Sequence, residues 1–216
     1  ITIQSGLNVK CSHESKVYKA LELNDARESI HHAIDWICDM PFSLKPVFIG
    51  YEISTSLLRD YDLSSNILGV GLKSHPNDPW MLNNRAYVNA RINKLDEAEK
   101  DMEQLEHCNK ALSESMSICK EATHGLIAYR RKDREKGRKL YEQAILRAST
   151  MKENSEEIKV KAQINMLREE IIFSNYQNTS ALMELEQLVI PNEKLELVKL
   201  RNEVFDEMKK NEKNQG

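Results

Sequence analysis

The chain has 216 residues, a formal net charge of −3, 40% hydrophobic residues and 30% charged residues. This length and balance are typical of a soluble globular protein with a sizeable core, and the small net charge gives no reason to expect nucleic acid or an anionic membrane as the main partner. Only seven Gly and five Pro favour a helical fold over a turn-rich β-sandwich, and no apolar run approaches the ~20 residues that span a bilayer.

The N-terminal end carries no recognisable leader. The sequence starts at Ile1, without a Met and without a charged-then-apolar segment, so we interpret it as a piece of a longer polypeptide. We expect residues 1–13 to form a flexible lead.

No two cysteines form a C-x-x-C pair, which predicts reduced thiols in a cytoplasmic protein. The four cysteines are Cys11, Cys38, Cys108 and Cys119.

The next segment, 14–44, predicts two helices with a break near Asn24-Asp25, where the aspartate can cap the second helix. Residues 11–44 have the length of one unit of the repeat described below, but the pattern is degenerate because the large Ile30 occupies a position that needs a small residue. The apolar residues expected to face its core are Tyr18, Ile30, Ile34 and Ile37.

A short pattern then recurs along the chain. It consists of a compact residue, a large residue four positions later and another residue three positions after that, which places all three on one face of a helix. The pattern is found at Ser64-Leu68-Gly71, at Ala98-Met102-Leu105 and at Gly137-Tyr141-Ala144, with offsets of 34 and 39 residues. Two antiparallel helices pack closely where small residues meet, and one such pair buries too little surface alone, so neighbouring pairs must stack.

A period of 34 residues with helix-turn-helix units is the pattern of tetratricopeptide repeats. Residues 82–87 followed by 93–98, and 125–129 followed by 137–145, resemble this family. The resemblance implies an all-α fold, a right-handed superhelix of helix-turn-helix repeats with extra C-terminal capping helices. We place the three tetratricopeptide-like units of 45–151 at 45–78, 79–112 and 118–151.

The segment 152–216 loses the repeat motif but remains helical. Ser155 followed by two glutamates predicts a helix start, and Pro191 ends a later apolar face. The last helix has the charged surface of a capping helix, and we expect a frayed tail from 211 to 216.

The family resemblance also implies where a partner would bind, because the first helix of each unit lines the concave groove. We expect a protein or peptide partner there, held by aromatic, Asn and Arg anchors. An alternative is that part of this stripe packs on neighbouring helices or on the C-terminal helix. The predicted partner-binding residues are Trp80, Asn83, Asn84, Tyr87 and Arg91 in one unit, and Thr123, Leu126, Tyr129 and Arg130 in the next.

Family members that grip the C-termini of heat-shock chaperones use a five-position clamp of Lys, Asn and Arg. Only Asn84 matches that clamp here, and the other four positions hold Ile49, Ile53, Cys119 and Thr123. We therefore do not expect this protein to recognise chaperone C-termini.

Motifs for catalysis are scarce. Residues 69–74 read GVGLKS, which lacks the glycine spacing of a phosphate-binding loop. His31, Asp35 and Cys38 could share one helix face, but no second ligand cluster completes a metal site. We expect no catalytic residues, no metal and no cofactor.

The sequence is best interpreted as a non-catalytic protein-interaction module, and three alternatives stay open. The chain could be an accessory domain of a larger, for example nuclease-linked, enzyme. The segment 129–139, with seven bases and two acids, could contact RNA. A homodimer could form through the exposed cap.

Overall fold

The computed structural model describes residues 12–108, 111–152 and 155–215, with only the backbone at 193, 212, 214 and 215. Every regular element in these ranges is helical, so the all-α class predicted from the sequence is confirmed. No described helix is long and apolar enough to cross a bilayer. Most of the predicted lead 1–13 lies outside the described residues. The chain divides into two compact units, Ile1–Pro76 and Asn77–Gly216.

The first unit consists of two helical hairpins. Val17, Ala33, Val47 and Leu68 are at most 1% exposed and belong to its core. Tyr18 and Ile34, which the sequence placed in the core, are 43% and 37% exposed. The expectation that Tyr18 and Ile34 face the core was wrong. Each helix buries only part of the apolar surface that its sequence offers, and these two side chains lie outside that part. The elements are α1 (His13–Glu22), α2 (Ala26–Asp39), α3 (Leu44–Glu52), a π-helical turn (Ile53–Leu57) and α4 (Tyr61–Ser74).

The second unit holds three more hairpins and a final helix. Its elements are α5 (Pro79–Arg91), α6 (Leu95–Glu106), α7 (Glu114–Arg130), α8 (Arg134–Thr150), α9 (Ser155–Phe173), α10 (Thr179–Gln187), a 3₁₀ turn (Pro191–Glu193) and α11 (Leu195–Gln215). Helix α11 continues through 211–215, where the sequence suggested a frayed tail.

Most helices begin where a short polar side chain caps the first turn. The side-chain oxygens of Asp25, Asp60, Asp78 and Asp133 each accept a hydrogen bond from the backbone N–H three residues later. Such a cap satisfies one of the backbone donors that the first turn leaves unpaired, and its loss typically costs about 1 kcal/mol.

One turn geometry joins the two helices in four of the described hairpins. A residue with positive φ ends the first helix, and the next backbone N–H reaches back five residues to a carbonyl. After α7, the Lys132 N–H donates to the Tyr129 carbonyl at 3.0 Å, and the Asp133 N–H donates to the Ala128 carbonyl at 2.9 Å. The positive-φ residues are Asn24, Asn93, Lys132 and Asn175. The α9–α10 hairpin shares this turn, although its sequence shows no repeat motif.

The small residues of the recurring pattern lie at helix crossings, as predicted. Ala86 and Ala98 are fully buried between α5 and α6. A Cβ added at Gly137 would lie 2.5 Å from the Tyr129 ring and 3.0 Å from the Gly125 carbonyl oxygen. The α7–α8 crossing therefore has no room for a methyl group, and glycine is required there by close approach and not by an unusual φ.

Helix α9 is the centre of the C-terminal part. It packs against α7, α8, α10 and α11, and Ile164, Leu167 and Ile171 share a core with Leu185 of α10 and Leu197 of α11. Ion pairs of Lys194 with Glu157 and of Glu207 with Arg168 show that α9 and α11 run in the same direction.

Candidate functional site

The predicted partner stripe lies on α5 and α7, and much of it is covered inside the second unit. Trp80 is 38% exposed at the start of α5, and Asn84, Tyr87 and Arg130 are partly buried. The remaining five residues of the stripe are buried: Asn83, Arg91, Thr123, Leu126 and Tyr129. For these five, the structure favours the alternative that they pack within the unit.

Arg91 connects α5 to the C-terminal helices. Its side chain is only 1% exposed. Its Nη1 donates to the Tyr87 hydroxyl at 2.8 Å, and that hydroxyl donates to Asn165 Oδ1 of α9 at 3.1 Å. Its Nη2 donates to Glu203 Oε1 of α11 at 2.6 Å. Residues separated by more than 100 positions in the sequence are thus joined by one guanidinium.

Arg168 of α9 is likewise buried and forms ion pairs, one within α9 and one with α11. It donates to Glu169 at 2.6 Å and to Glu207 of α11 at 2.9 Å. Burial and the nearby Arg91 would lower the pKa of Arg168, but Glu169 and Glu207 outweigh them and raise it, so the guanidinium stays charged. We call the buried network the polar core: Tyr87, Arg91, Arg130, Asn165, Arg168, Glu169, Glu203 and Glu207.

The charges of the polar core balance, since three arginines face three glutamates. Taking such groups out of water is costly, and a partner lost from a buried pair leaves an uncompensated charge. The polar core therefore ties α5, α9 and α11 together in a specific arrangement and presents no free charge to a partner.

Tyr129 lies beside this network. Its hydroxyl donates to Glu170 at 2.6 Å, and Arg134 Nη2 donates to the same carboxylate at 2.6 Å. Burial, followed by the hydrogen bond to Glu170, raises the pKa of Tyr129. Burial alone would raise the pKa of Glu170, but the hydrogen bonds from Arg134 and Tyr129 outweigh it, and the net shift is downward.

An open cleft of about 360 Å³ lies at the edge of the same helices, where the α5–α6 and α7–α8 turns meet the end of α9. Phe173, in its wall, is 38% exposed, and Lys132 is exposed at its rim. We call it the edge cleft, and its lining residues are Asn93, Leu95, Tyr129, Arg130, Arg131, Lys132, Glu169, Ile172 and Phe173. Of the predicted stripe, only Tyr129 and Arg130 belong to it.

The basic segment 129–139 is largely neutralised within the chain. Arg130, Arg131, Arg134 and Arg138 each form an ion pair with a nearby carboxylate. The other three bases form no ion pair with any residue in the described ranges, and all three are exposed: Lys132, Lys136 and Lys139. The positive potential available to an RNA backbone is therefore much smaller than the sequence count suggests.

Sequence reasoning missed the partners contributed by α9 and α11. The only local signal is the run Arg168-Glu169-Glu170 inside the apolar stripe of α9, since charged residues beside buried ones need partners. Glu203 and Glu207 look like ordinary surface acids in sequence, and Ile172 and Phe173 look like the end of an apolar face.

The sequence matches no protein-family model, and no curated protein matches it. A solved structure, the MamA RS-1 ArsTM double mutant, is similar with a TM-score of 0.54 and 16% sequence identity. The match covers 81% of this chain and 93% of that chain. MamA contains tetratricopeptide repeats, so the likeness supports a tetratricopeptide-like helical repeat fold. At this identity it concerns the fold alone.

Proposed function

We propose that this protein is a non-catalytic protein-interaction module that binds a short partner segment at the edge cleft. The observation that carries this proposal is the meeting, in one open cleft, of the exposed ring of Phe173 and the ammonium of Lys132, which forms no ion pair with a described residue. These groups fit a segment with one large apolar side chain beside a carboxylate.

The size of the cleft supports this class of ligand. A volume of about 360 Å³ is at the lower end of ligand pockets, which suits one or two side chains and not a whole helix. Its apolar wall of Leu95, Ile172 and Phe173 provides the burial that anchors binding, and Lys132 provides the charge that selects an acidic neighbour.

The centre of the predicted groove is a weaker candidate. Arg91 and Tyr129 already use their polar atoms on Glu203, Tyr87 and Glu170. A partner would have to displace α11 and break the buried Arg91–Glu203 ion pair before it reached the Arg91 guanidinium. The edge cleft needs no such rearrangement.

The state of the Cys119 thiol in α7 supports a non-catalytic role. Burial raises the pKa of Cys119, which keeps it protonated and a poor nucleophile. The accessory-domain alternative stays open, since the same cleft would serve within a larger enzyme.

Free thiols at Cys38, Cys108 and Cys119 support a cytoplasmic location.

Selection of a random peptide library on the immobilised chain tests the proposal. We expect enriched peptides with an aromatic or large aliphatic residue next to Asp or Glu. Fluorescence anisotropy should then show weaker binding of such a peptide to Lys132→Glu by roughly tenfold, equivalent to about 1.4 kcal/mol, and a weaker effect at high salt.

Lys136→Glu is the matched control, because Lys136 is another exposed base of the same segment and does not line the cleft. Equal weakening by both substitutions would indicate a diffuse charge effect and not the cleft. If no peptide is enriched, or if Phe173→Ala binds like the parent, the edge cleft is not the binding site.

A further inference from the structure

The first unit holds a cluster of metal-ligating side chains on α1 and α2. His13 lies in the first turn of α1, and His32 and Asp35 lie three residues apart on α2. One ligand atom from each of the three lies within 4.8 Å of the others. The spacing considered from sequence, His31 with Asp35 and Cys38, is not this cluster, because His13 comes from a different helix and Cys38 takes no part.

Both histidines are oriented by a second carboxylate. His13 Nε2 lies 3.1 Å from an Asp39 oxygen, and His32 Nε2 lies 3.0 Å from a Glu28 oxygen. Each Nε2 can therefore donate its proton, which leaves Nδ1 as the ring atom with a free lone pair. A carboxylate behind each histidine is the arrangement that holds ligating imidazoles at metal sites.

The two remaining ring nitrogens are left over within the described part of the chain. His13 Nδ1 and His32 Nδ1 are both buried from solvent, and neither has a hydrogen-bond partner among the described residues. His13 Nδ1 also faces the Asp35 carboxylate at 3.8 Å, which is too long for a hydrogen bond. A bound cation would account for two buried, unpaired ring nitrogens and a nearby carboxylate.

The geometry points to a binding site for a zinc-type divalent ion formed by His13, His32 and Asp35, which would link α1 to α2. Two imidazole nitrogens and one carboxylate oxygen suit zinc and its neighbours, whereas Mg²⁺ and Ca²⁺ prefer all-oxygen sites. Tetrahedral zinc ligands lie about 3.4 Å apart, so small side-chain rotations close the site.

A fourth ligand is within reach on the same helix. His31 Nε2 lies 3.8 Å from the same Asp35 oxygen, and its ring is well exposed. The site then either holds the ion with His31 as a fourth ligand or keeps water in that position. Because all of these residues lie in the first unit, this site is independent of the edge cleft and of the function proposed for it.

Isothermal titration of the untagged, chelator-treated 216-residue chain with Zn²⁺, combined with metal analysis after dialysis, tests the site. We expect one tightly held zinc per chain and a zinc-dependent rise in Tm. His32→Ala and Asp35→Ala should lose this binding, and Glu28→Gln, which changes only the carboxylate behind His32, should weaken it by roughly 10–100-fold. His75→Ala, a histidine of the same unit outside the cluster, should bind like the parent.

Circular dichroism without metal separates a lost site from a lost fold. The variants should keep the parent's helix content and metal-free Tm and lose only the zinc-dependent increment. The inference is wrong if the parent holds no zinc, or if well-folded His13→Ala and His32→Ala bind zinc as tightly as the parent does.

Discussion

The polar core and the edge cleft are built from the same helices but have opposite properties. In the polar core, Arg91 and Arg168 are buried and every charge has a partner. At the edge cleft, Lys132 and Phe173 are exposed, and the lysine forms no ion pair within the part of the chain that the structure describes. The face that would form a binding groove is thus structural at its centre and accessible only at its margin.

The difference arises from the C-terminal helices. Helices α9 and α11 bring Asn165, Glu203 and Glu207 against Tyr87 and Arg91 at the centre of the stripe. At the margin, α9 ends at Phe173, so the cleft stays open beyond it. The length of α9 therefore decides which part of the stripe on α5 and α7 a partner can reach. Substitutions in the polar core and at the edge cleft should have different consequences.

Arg91→Leu should give the largest effect on stability. It removes the guanidinium from the buried pair with Glu203, and breaking a buried ion pair typically costs about 3–5 kcal/mol. Urea unfolding monitored by circular dichroism measures the loss. Arg138→Leu is the control, because its pair with Glu142 is exposed and such pairs contribute about 0.3–0.5 kcal/mol. Equal small losses for both would mean that the polar core is hydrated and not closed.

Gly137→Ala tests whether the close α7–α8 crossing contributes to the stability of the second unit. The added methyl group would meet the Tyr129 ring and the Gly125 carbonyl, and overpacking costs about 1–3 kcal/mol. A gain of about 0.5–1 kcal/mol in helix propensity offsets part of that. Gly50→Ala is the matched control: its nearest neighbours would be at 3.4 Å, so we expect no loss there. A Gly137→Ala variant as stable as the parent contradicts the crossing geometry.

Glu170 binds Tyr129, which lines the edge cleft, and should make the stability of the fold depend on pH. Its pKa is lowered in the folded chain, so its contribution is complete above the unfolded value of 4.5 and is lost as pH falls below it. Glu170→Gln should lower the free energy of unfolding at pH 7 by about 1–3 kcal/mol. It should also reduce the slope of that free energy against pH on the acid side. Glu142→Gln, at an exposed pair, should leave the profile unchanged. An identical acid slope in parent and Glu170→Gln would exclude this role.

Lys132→Glu should have the smallest effect on stability. Its side chain is exposed and makes no ion pair with a described residue, so the unfolding free energy should change by less than about 0.5 kcal/mol. A thermal melt beside the parent checks this. A loss comparable to that of Arg91→Leu would mean that the cleft rim is a structural element like the polar core.

Much of the fold could be predicted from local sequence because its signals are local. Asp25, Asp78 and Asp133 act as helix caps, and Ala98 and Gly137 lie at helix crossings, where spacing alone places them. The α9–α10 hairpin was not recognised as repeat-like, because its turn uses Asn175 and Tyr176 and its helices lack the small-residue pattern.

The site was less predictable because it depends on long-range contacts. Tyr87 and Arg91 were correctly placed on one helix face, but whether that face is open depends on Asn165 and Glu203, 78 and 112 residues away. No periodicity in α5 encodes what covers it. Likewise, His13 and His32 meet only because α1 and α2 form a hairpin, and their spacing along the sequence matches no known ligand pattern.

A double-mutant cycle between Arg91 and Glu203 tests most directly whether α11 closes the centre of the stripe. The two single variants, Arg91→Leu and Glu203→Leu, and the double variant are compared with the parent by urea unfolding. Direct contact predicts that the double variant loses less stability than the sum of the single losses, by about 1–3 kcal/mol. Additive losses would mean that the two side chains do not meet and that the groove is open after all.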